Sequence, residues 1–196
     1  MKQQRSVETQ QKILQAAMDL LLKGDDTELR ISDVCKLTGN TTTSIYAYFE
    51  SRQGLIDEAY LELYRLISIS LQETLVNNLK NSTSGHEFVQ LVKANRDTES
   101  EMVVKFRSVW MRVNGLAMAR GDFNEKLKPV KKEFNTAASV EFAKYQATGV
   151  FSKRFSSHEL PALLSGMILI RGIAEETGVG LLDDDFYVMT KIFCDD

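Results

Sequence analysis

Apolar residues recur along this chain at helical spacing, and alternating runs are few. A first helix from about Val7 to Lys23 places Ile13, Leu14, Ala17 and Leu21 on one stripe, with Gly24 as a C-terminal stop. Two short helices follow, about Ile31–Leu37 and Thr42–Tyr48, and a long fourth helix begins near Arg52. Beyond it the pattern predicts helices near 85–95, 99–119 and 123–147, the first opened by a Ser84/Glu87 capping box. A second capping box, Ser156/Glu159, opens a helix to about Glu176 with Pro161 in its first turn. Asp183–Asp185 introduce a last helix carrying Phe186, Met189, Ile192 and Phe193. The predicted fold class is all-α, with about nine helices: a small three-helix unit in front of a larger bundle, divided as residues 1–52 and 53–196.

Composition narrows the classes. At 196 residues and 43% hydrophobic content the chain can bury a proper core. The longest apolar stretch, about Leu160–Ile173, is broken by Arg171 and Gly172 and falls short of a bilayer span. The N-terminal MKQQRSVETQQ has no apolar run behind its basic residues, so no secretory signal is read there. Cys35 and Cys194 lack metal-ligand spacing and suit a reducing compartment, so a cytoplasmic protein with no membrane partner is expected. A formal charge of −3 provides no global attraction to nucleic acid, and any such binding must come from a local arrangement.

That arrangement lies in residues 30–55. Ile31, Val34 and Cys35 form the inner face of the first short helix, and Ile45 and Phe49 that of the second. Gly39 sits where the turn between them demands a positive φ, and Asn40 or Thr41 can cap the next helix. This is helix-turn-helix geometry. Thr42, Thr43, Ser44, Tyr46 and Ala47 are left on the outer face of the second short helix, where small and hydroxyl-bearing groups approach base edges closely. Tyr48 and Arg52 are placed to hold phosphates and fix the docking register.

The run Gly39, Asn40, Thr41, Thr42, Thr43, Ser44, Ile45, Tyr46, Ala47, Tyr48, Phe49, continued by Ser51, Arg52 and Leu55, resembles the reading head of the TetR family of bacterial regulators. Ile13, Leu14 and Ala17 match that family's first helix. The resemblance covers about the first 60 residues by motif and the remainder by length and helical plan. Three positions depart from it: Asn40 replaces an apolar residue, Asp26 stands near an expected aromatic, and Arg30 replaces the Ser or Thr that caps the second helix.

The resemblance implies a homodimeric, ligand-responsive transcriptional regulator, in the common case a repressor released from a near-palindromic double-stranded DNA operator by a small-molecule effector. DNA contacts are then expected from Arg30, Thr41, Thr42, Thr43, Ser44, Tyr46, Tyr48 and Arg52. The dimer interface is expected from Leu160, Leu163, Leu164, Met167, Ile168, Phe186, Met189 and Phe193, with Gly166 allowing close approach. The apolar stripes Met102, Val103, Phe106, Val109, Trp110, Val113, Ala117 and Phe134, Ala138, Phe142, Tyr145 are ordinary core by spacing. If the resemblance extends here, Phe106, Trp110, Met111 and Asn114 line an effector cavity. Arg107, Arg112 and Arg171 can meet an anionic ligand, although pairing at the surface or between helices is the plainer reading. No cofactor or metal is expected.

Two rival readings are weaker. An enzyme finds only His86 and His158, without ligand-like spacing, and a TGVG fragment at 177–180 too short for a phosphate loop. A family member that has lost DNA binding, acting through a ligand or protein, is suggested by the three departures and the weak basicity, and opposed by the intact Thr42–Phe49 run.

Overall fold

A computed structural model describes residues 2–24, 27–97, 100–179 and 185–195. Across these residues the chain forms nine helices and no strand: α1 (Lys2–Lys23), α2 (Ile31–Thr38), α3 (Thr42–Phe49), α4 (Arg52–Lys80), α5 (Gly85–Asp97), α6 (Glu101–Ala119), α7 (Gly121–Ala147), α8 (Leu160–Thr177) and α9 (Asp185–Phe193). The all-α expectation holds. Asp26, Asp183 and Asp184, which entered the sequence reading, lie outside the described residues. No helix among the described residues is long and apolar enough to cross a membrane.

Most predicted ends fall within a few residues, and the exceptions have local causes. Helix α1 reaches back to Lys2 because no Gly or Pro interrupts residues 2–6. Helix α8 starts at Leu160 instead of Ser156. Ser156 and Glu159 do pair, the Ser156 N–H and hydroxyl both donating to Glu159 Oε2 at 2.7 and 2.8 Å, but they close a turn ahead of the helix. Pro161 explains the delay: in the first helical turn its missing N–H has no partner to lose, whereas four residues deeper it would break the ladder. The other box is shifted by one residue. Ser84 Oγ accepts from Glu87 N–H at 3.2 Å, while Glu87 Oε2 takes the N–H and hydroxyl of Thr83.

Two cores organise the chain. The first gathers Ile13, Ala17 and Leu21 of α1, Val34 of α2, Ile45 and Phe49 of α3, and Leu55, Ile56 and Tyr60 of α4. It continues without a break into Val109, Trp110, Val113 and Ala117 of α6 and Phe123, Leu127 and Val130 of α7. The small N-terminal unit therefore shares its interior with the bundle, and each fully buried large side chain there contributes roughly 1.5–3 kcal/mol. The second core, at the far end, is an aromatic cluster: Phe88 lies 4.9 Å from Phe193 and 5.1 Å from Phe151, and Phe142 lies 5.8 Å from Phe193, between ring centroids. The chain end is fastened there, with Ser152 N–H donating to Phe193 O at 3.0 Å and an Arg154 guanidinium N–H to Lys191 O at 2.9 Å.

One ion pair ties helices together at the edge of the first core. Asp57, in the second turn of α4, is 4% exposed and accepts from Arg120 through both carboxylate oxygens at 2.8 Å, while Gln53 Nε2 donates to Oδ1 at 2.8 Å. Arg120 sits in the corner between α6 and α7 and also bonds Asp122 at 2.6 Å. Hydrogen bonds to Asp57 and then Asp122 hold the Arg120 guanidinium even more firmly protonated than usual. The start of α4 is thus pinned to the α6/α7 corner.

Candidate nucleic-acid interface and interior cavity

The turn between α2 and α3 spans residues 39–41 and is built as its composition demands. Gly39 takes φ +71°, a left-handed conformation that lets its N–H close on Cys35 O and end α2. Thr41 is the N-cap of α3, its Oγ1 accepting from Ser44 N–H at 3.2 Å. Asn40 donates its N–H to Thr38 Oγ1 at 3.3 Å and leaves the capping to Thr41. Arg30 occupies the N-cap of α2 without a side-chain cap bond and points into solvent.

Helix α3 is divided sharply. Ile45 is 0% and Phe49 5% exposed, so the inner face anchors the helix in the first core. Thr42, Thr43, Tyr46 and Ala47 are exposed, Tyr46 at 39%, and Ser44 is half-buried. The α3 side chains expected to meet DNA therefore share one open face. Tyr48 is half-buried at the side of the helix, its hydroxyl accepting from Ser6 of α1 at 3.3 Å.

Arg52 is placed differently from the sequence expectation. Its Nε donates to Leu29 O at 2.8 Å and its Nη2 to Thr27 O at 3.4 Å. The guanidinium is directed at the loop before α2, where peptide carbonyls hold it, so Arg52 braces the head from within. Lys12 acts similarly, donating to Thr38 O at 2.8 Å, and Lys36 pairs with Asp33 at 3.0 Å. Several of the head's few cations are therefore already engaged by the protein.

Between α4, α5, α6, α7, α8 and α9 lies a half-open cavity of about 710 Å³, within the range that holds drug-sized molecules. Phe106 and Trp110 line it as expected, and Trp110 stacks on Tyr64 with ring centroids 6.4 Å apart. Burial beneath these rings raises the Tyr64 phenol pKa above its usual value. Met111 and Asn114 do not line the cavity. Met111 turns toward α8, where a Cβ at Gly172 would meet its sulfur, so Gly172 lets α6 and α8 approach closely. Asn114 Nδ2 donates back to Trp110 O at 2.8 Å.

Sequence reasoning missed the α4 side of the cavity, including Ser68, Thr74 and Asn78, because a long helix with polar groups on several faces gives no sign of which face is covered. Of the three arginines singled out, Arg107 and Arg171 line the wall. Arg112 does not; its Nη1 donates to Gly24 O at 2.8 Å, linking α6 to the end of α1.

The residues expected at a dimer interface divide into two groups. Leu160, Met189 and Phe193 are 1%, 4% and 1% exposed inside this chain's own second core and have no surface left for a partner. The aromatic cluster takes them, a role that helical spacing alone does not separate from an interface. Leu163, Leu164, Met167, Ile168 and Phe186 remain half-buried, and Tyr187 on α9 is 60% exposed.

No protein-family model matches the sequence, and no curated protein is recognisably similar to it. Solved structures are similar, and they define a class: the chain has the fold of the TetR-family transcriptional regulators over nearly its whole length. A TetR-family regulator from Rhodococcus sp. is 15% identical, with a TM-score of 0.65 covering 94% of this chain and 96% of that one. One from Cytophaga hutchinsonii is 12% identical, with a TM-score of 0.66 and 98% of each chain covered. A transcriptional regulator from Saccharomonospora viridis, solved in complex with choline, is 22% identical, with a TM-score of 0.64 covering 94% of this chain and 93% of that one.

Proposed function

We propose that this chain is a sequence-specific DNA-binding transcriptional regulator, a homodimeric repressor released from a near-palindromic operator when a small molecule enters the body. The observation that carries the reading is the division of α3, whose buried Ile45 and Phe49 present Thr42, Thr43 and Tyr46 outward on a rigid, capped helix. Short hydroxyl-bearing residues let a recognition helix lie deep in a major groove, where Thr methyls touch thymine methyls and hydroxyls reach bases and phosphates. Tyr48 and Arg30, flanking that face, supply backbone contacts. Two such heads on a twofold dimer read an inverted repeat.

The dimer is assigned to α8 and α9, through Leu163 with the exposed Ile173 and Tyr187, because Leu164, Met167 and Ile168 are taken by the cavity wall. An apolar helix whose mid-section stays half-buried in the monomer has surface left to cover. Effector release runs through α6, which forms cavity wall at Phe106 and Trp110 and holds the end of α1 through Arg112. A ligand that binds one placement of α6 better shifts the population of head positions. The choline held by the Saccharomonospora regulator is a property of that protein and is not carried over.

The test is a sedimentation measurement of the purified chain, followed by enrichment of bound duplexes from a random pool. A dimer that enriches an inverted repeat supports the proposal. A folded monomer, or a dimer that enriches nothing, refutes it.

A further inference from the structure

The open face of α3 carries a chemical bias, and the inference drawn from it rests on the reading of that helix as the element that enters DNA. Residues 41–49 run TTTSIYAYF and contain no Arg, Lys, Asn or Gln. Those are the side chains that fix a guanine or an adenine by paired hydrogen bonds in the major groove. The groups flanking the face do not replace them. Arg52 is held by the Leu29 and Thr27 carbonyls, and Lys36 is paired with Asp33. Glu50 is the C-cap of α3, and a carboxylate has no donor for a guanine edge. Asn40 sits half-buried in the turn ahead of the helix.

The hydroxyls at the head of α3 are engaged within the protein. Thr41 Oγ1 accepts from Ser44 N–H at 3.2 Å, and Thr42 Oγ1 lies 3.7 Å from Cys35 Sγ of α2. A Thr42 oxygen turned to α2 leaves the γ-methyl as the part of that side chain that meets a base. Ala47 is exposed and has only a methyl to offer, and Tyr46, 39% exposed, adds the apolar edge of its ring. Carbon is therefore what the face holds in common. Thymine is the base that carries a methyl group in the major groove, and Thr methyls, Ala and aromatic rings are the groups that contact it. Thr42 and Tyr46, like Thr43 and Ala47, stand four residues apart, about 6 Å along the helix. The patch thus covers about two base-pair steps.

We propose that α3 selects its half-site by the C5-methyl groups of neighbouring thymines, contacted by Thr42, Thr43, Tyr46 and Ala47, and not by hydrogen bonds to purine edges. The operator is then rich in A·T pairs where α3 enters each half-site. The test uses the inverted-repeat duplex that the wild-type chain enriches from a random pool, with binding read by fluorescence anisotropy. Deoxyuridine replaces each thymine in turn, at the matching position of both half-sites, which removes the methyl and leaves the base pair intact. One buried methyl contact is worth about fourfold in affinity, so the most sensitive symmetric substitution is expected to weaken binding about tenfold or more. Replacing purines by 7-deazapurines, which lack the N7 acceptor, is expected to change affinity less than about twofold. Thr42→Ser and Thr43→Ser keep the hydroxyl and lose the methyl; at least one is expected to weaken the thymine duplex severalfold and to add nothing on the deoxyuridine duplex.

The proposal is overturned if the enriched half-site holds no thymine, if deoxyuridine is neutral at every thymine, or if a 7-deazapurine weakens binding as much as the most sensitive deoxyuridine. It is equally overturned if both Ser variants lose as much on the deoxyuridine duplex as on the thymine one. Should a Ser variant not fold, the substituted duplexes decide alone, since they need only the wild-type chain. Failure of this inference and failure of the regulator reading are distinct outcomes. A chain that enriches an inverted repeat indifferent to thymine methyls overturns this inference and leaves the regulator standing, whereas one that enriches no duplex refutes the regulator and this inference with it.

Discussion

Replacing Asp57 by Asn tests whether the start of α4 is held to the α6/α7 corner by the ion pair or by packing alone. Asp57 is 4% exposed and its two oxygens take both N–H groups of Arg120 at 2.8 Å. Breaking one side of a fully buried pair typically costs about 3–5 kcal/mol, mostly because the partner is left charged and desolvated. Arg120 escapes part of that penalty, since its side chain is 29% exposed and keeps Asp122 at 2.6 Å. The Asn side chain also retains one acceptor for Arg120 or Gln53. The expected loss is therefore about 2–3 kcal/mol, which for a chain of this length lowers Tm by about 4–12 °C. Scanning calorimetry at neutral pH reads it directly, with Asp122→Asn as the control. That carboxylate is 68% exposed, and its loss should leave Tm nearly unchanged. A shift for Asp57→Asn below about 2 °C, or one no larger than the control, would refute the reasoning.

Three further outcomes are expected. Thr41→Ala removes the cap that holds Ser44 N–H and should destabilise α3 by about 1 kcal/mol, seen as faster amide exchange in residues 42–45; unchanged exchange would contradict the assignment. Glu87 and Glu159 are held below the usual 4.5 by the N–H groups of Thr83 and Ser156. Their contribution is thus complete above about pH 4.5 and disappears as pH falls through the lowered values, so urea midpoints should stay level from pH 7 to 5 and then drop. A Glu87→Gln/Glu159→Gln double variant should start lower and show a shallower acid limb. Finally, with Lys12, Lys36 and Arg52 engaged within the head, few cations face phosphate. Arg30 and Arg5, an exposed residue of α1, taken from two protomers give a log–log salt slope of about −4, at roughly 0.9 per neutralised phosphate, and a slope steeper than about −10 would exclude this layout.

How legible this molecule was depended on whether local chemistry or distant packing decided each feature. The head was legible because its turn is specified by the residues that form it: Gly39 for the positive φ, Thr41 for the cap, and Ile45 and Phe49 four apart for the anchor. Arg52 was misplaced because its register suits a phosphate contact, and only the folded loop shows the carbonyls of Thr27 and Leu29 already in its reach. In the body, spacing identified apolar faces and could not say what covers them. Leu160, Met189 and Phe193 read the same whether a partner or Phe88 and Phe142 fill the space above them. Phe151, in a segment with no helical period, gave no periodic signal at all, yet it is 2% exposed at the centre of that cluster. The cavity wall on α4 was hidden for the same reason, as its serines and asparagines are indistinguishable in sequence from a solvated face.

The account stands most directly on the claim that the open face of α3 reads bases. The decisive measurement is fluorescence anisotropy of wild type and Tyr46→Ala on an enriched inverted-repeat duplex and on a scrambled duplex of equal length, at one fixed salt concentration. Tyr46 is 39% exposed and outside the first core, so the variant should fold and keep its weak affinity for the scrambled duplex. The account predicts that its affinity for the inverted repeat falls at least tenfold, collapsing the specificity ratio. Equal affinity of both proteins for the inverted repeat would contradict it and move the search for function to the body.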